Sequence, residues 1–78
     1  MTISITIAPE SLEPSDKYTN LLYLLENTFP AWRESTQFED GSKEIVIENL
    51  DSPQARDLAV EKLREMLTQF DIIPKSLQ

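Results

Sequence analysis

The chain opens with a strict alternation of apolar and small polar residues. Over residues 2–8 every second residue is isoleucine, and the residues between are serine or threonine until Ala8. A period of two, with β-branched side chains, is typical of a strand that buries one face. The segment is therefore predicted to be a strand whose isoleucines enter the core: Ile3, Ile5 and Ile7.

A helical repeat follows this strand. Pro9 and Pro14 end the extended segment, and Ser15 is the predicted N-cap of a helix that begins at Asp16. At about 100° per residue, the large apolar and aromatic side chains of the segment share one face about 100° wide. They are Tyr18, Leu21, Leu22, Leu25 and Phe29. Pro30 is predicted to end the helix.

The middle of the chain has the pattern of a hairpin. Residues 31–38 are polar and aromatic, residues 43–48 are rich in Ile and Val, and Asp40-Gly41 lies between them. Asp-Gly between two extended segments is typical of a type I′ turn, in which both central residues need positive φ. We therefore expect two antiparallel strands, with a charged edge strand over residues 33–37.

A second helix is predicted after Ser52, its N-cap, with Pro53 at the first helical position. Its apolar residues fall on one broad face: Ala55, Ala59, Val60, Leu63, Met66, Leu67 and Phe70. Residues 71–73 are enough for a very short closing strand or an extended segment before Pro74. Residues 74–78 are predicted to be a flexible tail.

This order of elements predicts an α+β fold. Strand, helix, strand, strand, helix and an optional last strand make a small two-layer sandwich, for which the ferredoxin-like, or split βαβ, arrangement is the favoured closed solution. We expect its first and third strands to be central and parallel, with both helices on one face. With 78 residues, the chain has the length of a single domain over residues 1–78. Such sandwiches host many unrelated functions.

The composition disfavours several chemistries. The chain has no Cys and no His, which removes thiolate and imidazole catalysis, disulfides and nearly every zinc site. A chain with one glycine cannot form the glycine-rich loops that hold phosphates. Glu44 and Glu48 would lie about 13 Å apart along a strand, too far for one cation to bridge, and Glu39-Asp40 lacks calcium-loop spacing. We expect no enzyme activity, no metal and no cofactor.

The sequence also bears on location. Its first residues lack the basic start and long apolar run of a secretory signal, and the longest apolar-rich run, residues 21–25, is too short to span a membrane. We therefore expect a soluble cytoplasmic protein that does not engage membranes.

The charge balance points toward protein partners. Fourteen acidic and seven basic side chains give a net charge of -7, which disfavours direct nucleic-acid binding. The outward positions of the predicted central strands offer no ring on which bases could stack, but they include Glu44 and Glu48. This acidic face could dock on a basic protein surface or imitate phosphate in a nucleic-acid groove. It could equally be solvated or paired with itself in a homodimer.

Tyr23 marks a second candidate surface, on the first helix. It lies about 140° from Tyr18, with Leu24 beside it, so it should be exposed when the leucine face is buried. An exposed Tyr with a neighbouring Leu is typical of an interface anchor, although single exposed apolar residues are common. Trp32 is predicted to cap the end of the core, with a partner-facing role as the alternative.

Together these features favour a small acidic protein–protein interaction module that acts as a regulator, inhibitor or adaptor without catalytic chemistry. The candidate partner-binding residues are Tyr23, Leu24, Glu44 and Glu48. One alternative is a nucleic-acid-mimicking inhibitor of a DNA- or RNA-binding protein. Another is a homo-oligomeric domain that senses a small ligand between paired sheets, against which residues 9–14 offer no glycine for a ligand loop.

Overall fold

A computed structural model describes residues 1–35 and 38–78. Over these residues the chain forms an α+β fold with a four-stranded antiparallel sheet and two α-helices. The elements in chain order are β1 (Ile3–Ile7), α1 (Ser15–Thr28), β2 (Trp32–Ser35), β3 (Lys43–Ile47), α2 (Pro53–Gln69) and β4 (Ser76–Leu77). A short 3-10 helix, Pro9–Leu12, lies between β1 and α1.

The strand order is β2-β3-β1-β4, and each neighbouring pair is antiparallel. Strands β1 and β3 are central, as predicted, but Ile3 lies opposite Ile47 and Ile7 opposite Lys43. The prediction that these two strands are parallel was therefore wrong. The reason is the connectivity: a hairpin reverses the chain between β2 and β3, so β1, which runs parallel to β2, must oppose β3.

The core lies between one face of the sheet and the two helices. The alternating isoleucines of β1 are fully buried, which confirms the pattern predicted for the first strand. They pack in one cluster with side chains from β3 and from both helices: Leu21, Leu25, Ile45, Ile47, Ala59, Leu63, Met66 and Leu67. Both helices therefore cover the same face of the sheet and leave the other face open.

The two helices begin in different ways. Helix α2 starts as predicted, because the Ala55 N–H donates to Ser52 Oγ at 3.1 Å and Pro53 occupies the first position. Helix α1 starts one residue earlier than predicted and has no side-chain cap at Pro14, its N-cap residue. The Pro14 carbonyl accepts from the Lys17 N–H at 3.0 Å, so the backbone alone closes the first turn.

The hairpin between β2 and β3 is present, but its turn differs from the prediction. The Gly41 N–H donates to the Phe38 carbonyl at 3.3 Å, so Glu39 and Asp40 are the central residues. Of these residues Gly41 alone has positive φ, at 87°. A type I′ turn at Asp40-Gly41 needs positive φ at both, so that prediction was wrong.

The Asp40 side chain explains the alternative turn. Its carboxylate accepts from the Ser42 N–H at 2.9 Å, a local bond that favours an ordinary turn conformation at Asp40. Gly41 then takes the left-handed conformation that follows such a turn. The part of the predicted edge strand at Thr36 and Gln37 lies outside the described residues.

The C-terminal segment also departs from prediction. Asp71, with φ of 56°, turns the chain after α2, so the last strand forms at Ser76–Leu77 and not over residues 71–73. Backbone bonds join Ser4 and Gln78 in both directions, at 3.0 and 2.9 Å. These bonds contradict the predicted tail over residues 74–78, because they place β4 beside β1 in the sheet. Among the described residues, none of the helices has the length and hydropathy needed to cross a lipid bilayer.

Candidate functional site

The most exposed aromatic surface lies between α1 and β2. Tyr23 is 68% exposed, as its position on α1 predicted. It lines a groove of about 360 Å³ with Thr19, Leu22, Glu26 and Trp32. The α1 residues are spaced three and four apart, which places them on one side of the helix. Trp32 is the first residue of β2, the strand at one edge of the sheet.

Trp32 joins the groove to the core. Its half-buried side chain packs against the core cluster, and its indole N–H donates to the Glu26 carboxylate at 3.0 Å. Both roles considered for this residue are therefore compatible with its position, since the side chain closes the end of the core and also lines the groove. The hydrogen bond anchors Trp32 to α1.

A second aromatic–carboxylate pair lies next to the first. The Tyr18 hydroxyl donates to the Glu34 carboxylate, which links α1 to β2. Burial, the hydrogen bond to Glu34 and the negative charge of Glu34 together raise the pKa of the Tyr18 phenol above its ordinary value. The phenol therefore remains a hydrogen-bond donor across the whole physiological pH range.

The charged side chain in the groove lining, Glu26, is acidic. Lys17, the basic residue of α1, lies about 180° around the helix from Glu26. Arg33, the basic residue of β2, is on the open face of the sheet, where its Nε donates to Glu48 at 2.8 Å. None of the ion pairs between described residues includes Glu26 or Glu34. The basic residue of β3, Lys43, alternates with Ile45 and Ile47 and is therefore on the same face of the sheet as Glu34.

Leu24 does not belong to this groove. It is half-buried and packs against the core cluster. Successive residues of a helix are about 100° apart, so a neighbour of Tyr23 in sequence points to a different side. The structure thus separates the two α1 residues that the sequence grouped in one candidate surface.

The other predicted site residues lie on the open face of the sheet. Glu44 accepts from the Ser4 hydroxyl at 2.7 Å, and Glu48 is paired with Arg33. Val46 lies between them in sequence and is 8% exposed. Both residues are half-buried. Arg33 neutralises Glu48, whereas the Ser4 hydroxyl orders the Glu44 side chain without removing its charge.

The grouping of Glu26 and Trp32 with Tyr23 was not predicted from the sequence. One signal was present: Thr19, Leu22, Tyr23 and Glu26 follow helical spacing around Tyr23. The contribution of β2 had no such signal, because it depends on how the helix packs on the sheet. A second, smaller groove of about 190 Å³, between α2 and the C-terminal segment, was also missed; it includes Arg64, Leu67 and the exposed Ile73.

Across residues 1–35 and 38–78, no group of three or more acidic side chains is arranged to hold a metal ion. Comparison with models of known protein families, with curated proteins and with solved structures found no significant match to this chain. The geometry of the groove is therefore the basis for the function proposed below.

Proposed function

We propose that this protein is a small acidic protein–protein interaction module that binds a protein partner in the groove between α1 and β2. The observation that carries the proposal is Tyr23, 68% exposed beside Trp32 in a groove of about 360 Å³. Exposed Tyr and Trp side chains are enriched among the residues that dominate interface energies. The module acts by contact, as a regulator, inhibitor or adaptor, without catalytic chemistry.

Hydrogen bonds already order part of the groove in the absence of a partner. The hydrogen bond from Trp32 to Glu26 joins two residues of the groove lining, and the bond from Tyr18 to Glu34 is a second link between α1 and β2. A surface whose side chains are already ordered loses less conformational entropy on binding. This order favours a role in recognition. It disfavours the alternative that the groove aromatics are exposed without a function.

We further propose that the fold has the ferredoxin-like, split βαβ arrangement. The strand order β2-β3-β1-β4 and the packing of both helices on one face support it. Such a sandwich leaves β2 at an edge with α1 beside it. The groove thus lies where the arrangement leaves a helix flank and a strand edge exposed together.

The open sheet face supports a partner site less well. A phosphate mimic needs carboxylates that are free to meet basic groups, whereas Arg33 already neutralises Glu48 and Ser4 already binds Glu44. The groove offers exposed apolar surface together with Glu26, which accepts from a neutral indole N–H and is in none of the ion pairs between described residues. We therefore favour the groove.

Quantitative affinity capture from the native source tests the proposal. The wild type is compared with Tyr23→Ala and with Leu58→Ala, a matched control because Leu58 is 67% exposed on α2. A partner retained by wild type and by Leu58→Ala should be lost with Tyr23→Ala. With the purified partner, Tyr23→Ala should weaken binding by about 2 kcal/mol or more. Equal binding of all three proteins would rule out the groove as the interface.

A further inference from the structure

The groove opens onto the unpaired edge of β2. This strand is at one end of the strand order and has β3 on one side. The Glu48 N–H donates to the Ala31 carbonyl at 2.9 Å, and in an antiparallel pair alternate residues face the partner strand. The backbone groups of Arg33 therefore face β3. Those of Trp32 and Glu34 face outward.

The two residues with outward backbone groups also contribute side chains to the helix side of the sheet. Trp32 and Glu34 lie opposite Ile47 and Ile45, whose side chains are in the core. An extended segment that pairs with β2 would alternate its side chains between the two faces of the sheet. Every second side chain would then point toward the groove.

The negative charge of the groove favours a cationic side chain of the bound segment. Glu26 provides a carboxylate, and Tyr23 and Trp32 provide aromatic rings. Glu34, on the same face of β2 two residues beyond Trp32, adds a second carboxylate next to the groove. A guanidinium or ammonium group can combine attraction to an aromatic face with a charge-assisted hydrogen bond to a carboxylate. A second copy of this chain would instead bring the same carboxylates into the groove, and like charges facing each other across paired strands are destabilising.

We propose that the segment bound in the groove is an extended, basic stretch of a partner protein. It adds to the edge of β2 as a further strand and inserts an arginine or lysine side chain between Tyr23, Glu26 and Trp32. This inference rests on the proposed function and specifies the conformation and the charge of what the groove binds.

Selection from a random-peptide display library tests the charge and the pattern of the segment. Peptides are selected on the wild type and counter-selected on Tyr23→Ala. We expect enrichment of Arg or Lys alternating with β-branched residues. Enrichment of acidic peptides, or of apolar residues at helical spacing, would overturn this inference and leave the groove as a binding site. Failure to enrich any Tyr23-dependent peptide would count against the inference and the proposed function alike.

The enriched peptide then tests strand addition. Glu34→Pro removes an outward N–H while leaving the β3 pairing made by Arg33 and Ser35, and should weaken binding about tenfold or more. The control Glu34→Gln keeps the N–H and should lose less affinity, with a shallower salt dependence. Equal affinities of Glu34→Pro and Glu34→Gln would refute strand addition.

A peptide-side test avoids any change to the protein fold. N-methylation of alternate peptide residues should abolish binding in one register and leave it intact in the other, because only one set of N–H groups faces β2. Replacing the peptide arginine with citrulline keeps its shape and removes its charge, and should weaken binding about tenfold. Insensitivity to both changes would overturn the inference.

Amide hydrogen exchange locates the contact. On peptide binding, exchange at the Trp32 and Glu34 amides should slow, whereas the Arg33 amide, already directed toward β3, should change little. Protection confined to β4 or to the open sheet face would show that the peptide binds elsewhere and would contradict the proposal.

Discussion

The groove between α1 and β2 has one carboxylate in its lining and one next to it, and the open face of the sheet has two, yet the regions differ in what holds those carboxylates. Glu26 and Glu34 accept hydrogen bonds from neutral aromatic groups, and Glu44 on the open face accepts one from the neutral Ser4 hydroxyl, so these bonds leave the three carboxylates charged. On the open face, a guanidinium neutralises Glu48. Hydrogen bonding orders all of these side chains, but only an ionic partner removes charge. The net charge of a surface therefore depends on whether each carboxylate has a cationic partner, as well as on the number of acidic residues.

The two regions also differ in exposed apolar surface. Tyr23 is 68% exposed in the groove, whereas Val46 on the open face is 8% exposed under its polar neighbours. An interface centre usually combines an exposed aromatic anchor with a polar rim. The groove has both features, which is why the comparison favours it as the binding surface.

A substitution in the core that supports both regions should have the largest effect on the free energy of unfolding. Leu63 on α2 is fully buried, so Leu63→Ala should lower the free energy of unfolding by about 2 to 5 kcal/mol. Urea denaturation followed by circular dichroism measures the change. The exposed control Leu58→Ala should stay within about 0.5 kcal/mol of wild type. Comparable losses in both variants would contradict the assignment of the buried face.

Separate substitutions in the two regions compare them as binding surfaces. With a purified partner, Tyr23→Ala should cost about 2 kcal/mol or more, mainly through faster dissociation. Glu44→Gln combined with Glu48→Gln should leave the dissociation rate nearly unchanged, since neither residue lines the groove. Surface plasmon resonance distinguishes the outcomes, and the opposite ranking would transfer the site to the open sheet.

The hairpin turn connects β2 and β3, which contribute to the groove and to the open face. Few residues can replace glycine at position 41. Its φ is 87°, and an added Cβ would lie 3.3 Å from Pro9 Cγ. Gly41→Val should therefore destabilise the fold by about 1 to 3 kcal/mol, and Gly41→Asn by less, because Asn adopts positive φ more readily. Thermal denaturation of both variants measures this difference. Identical midpoints would argue against the turn described here.

Matched removal of one donor from each region gives a finer comparison. Tyr18→Phe and Ser4→Ala each remove the hydroxyl that donates to a carboxylate, Glu34 and Glu44 respectively. Each should cost about 0.5 to 1.5 kcal/mol of stability. Only Tyr18→Phe should also weaken partner binding, because only Glu34 lies beside the groove. Calorimetric titration measures the partner affinity of both variants. Weaker binding by Ser4→Ala would implicate the open face.

The smallest expected effect is a pH dependence outside both regions, at Asp40. The backbone N–H and then the hydroxyl of Ser42, with Lys75 contributing less, hold the pKa of the Asp40 carboxyl below its ordinary value. A depressed folded-state pKa stabilises the fold above the unfolded-state value of about 4, and that contribution is lost as the pH falls through the folded-state pKa.

Replacing Asp40 isolates this contribution. The stability of wild type relative to Asp40→Asn should be greatest near neutral pH and should decline on acidification through the range below about pH 4. Urea denaturation at a series of pH values measures the difference. A stability difference that grows as the pH falls would have the wrong sign for the assigned contacts.

Much of the local structure could be predicted from the sequence. The period-two isoleucines of β1 are buried, and Ser52 caps α2 as its pattern indicated. The exposure of Tyr23 followed from its angle of about 140° from Tyr18, which is on the buried leucine face of the helix. These features succeed because side-chain direction in a strand or helix repeats with a fixed period, so burial of one residue constrains its neighbours.

Other features required the tertiary structure. The antiparallel pairing of β1 with β3 and the place of β4 depend on how distant segments pack. The negative charge of the open face was overestimated, because a sequence does not show that Arg33 on β2 forms an ion pair with Glu48, which follows the neighbouring strand β3. Periodicity by itself determined which residues enter the core. Long-range packing decided which surface residues meet, because a hydrogen bond or an ion pair forms only where the fold brings two side chains within a few ångströms.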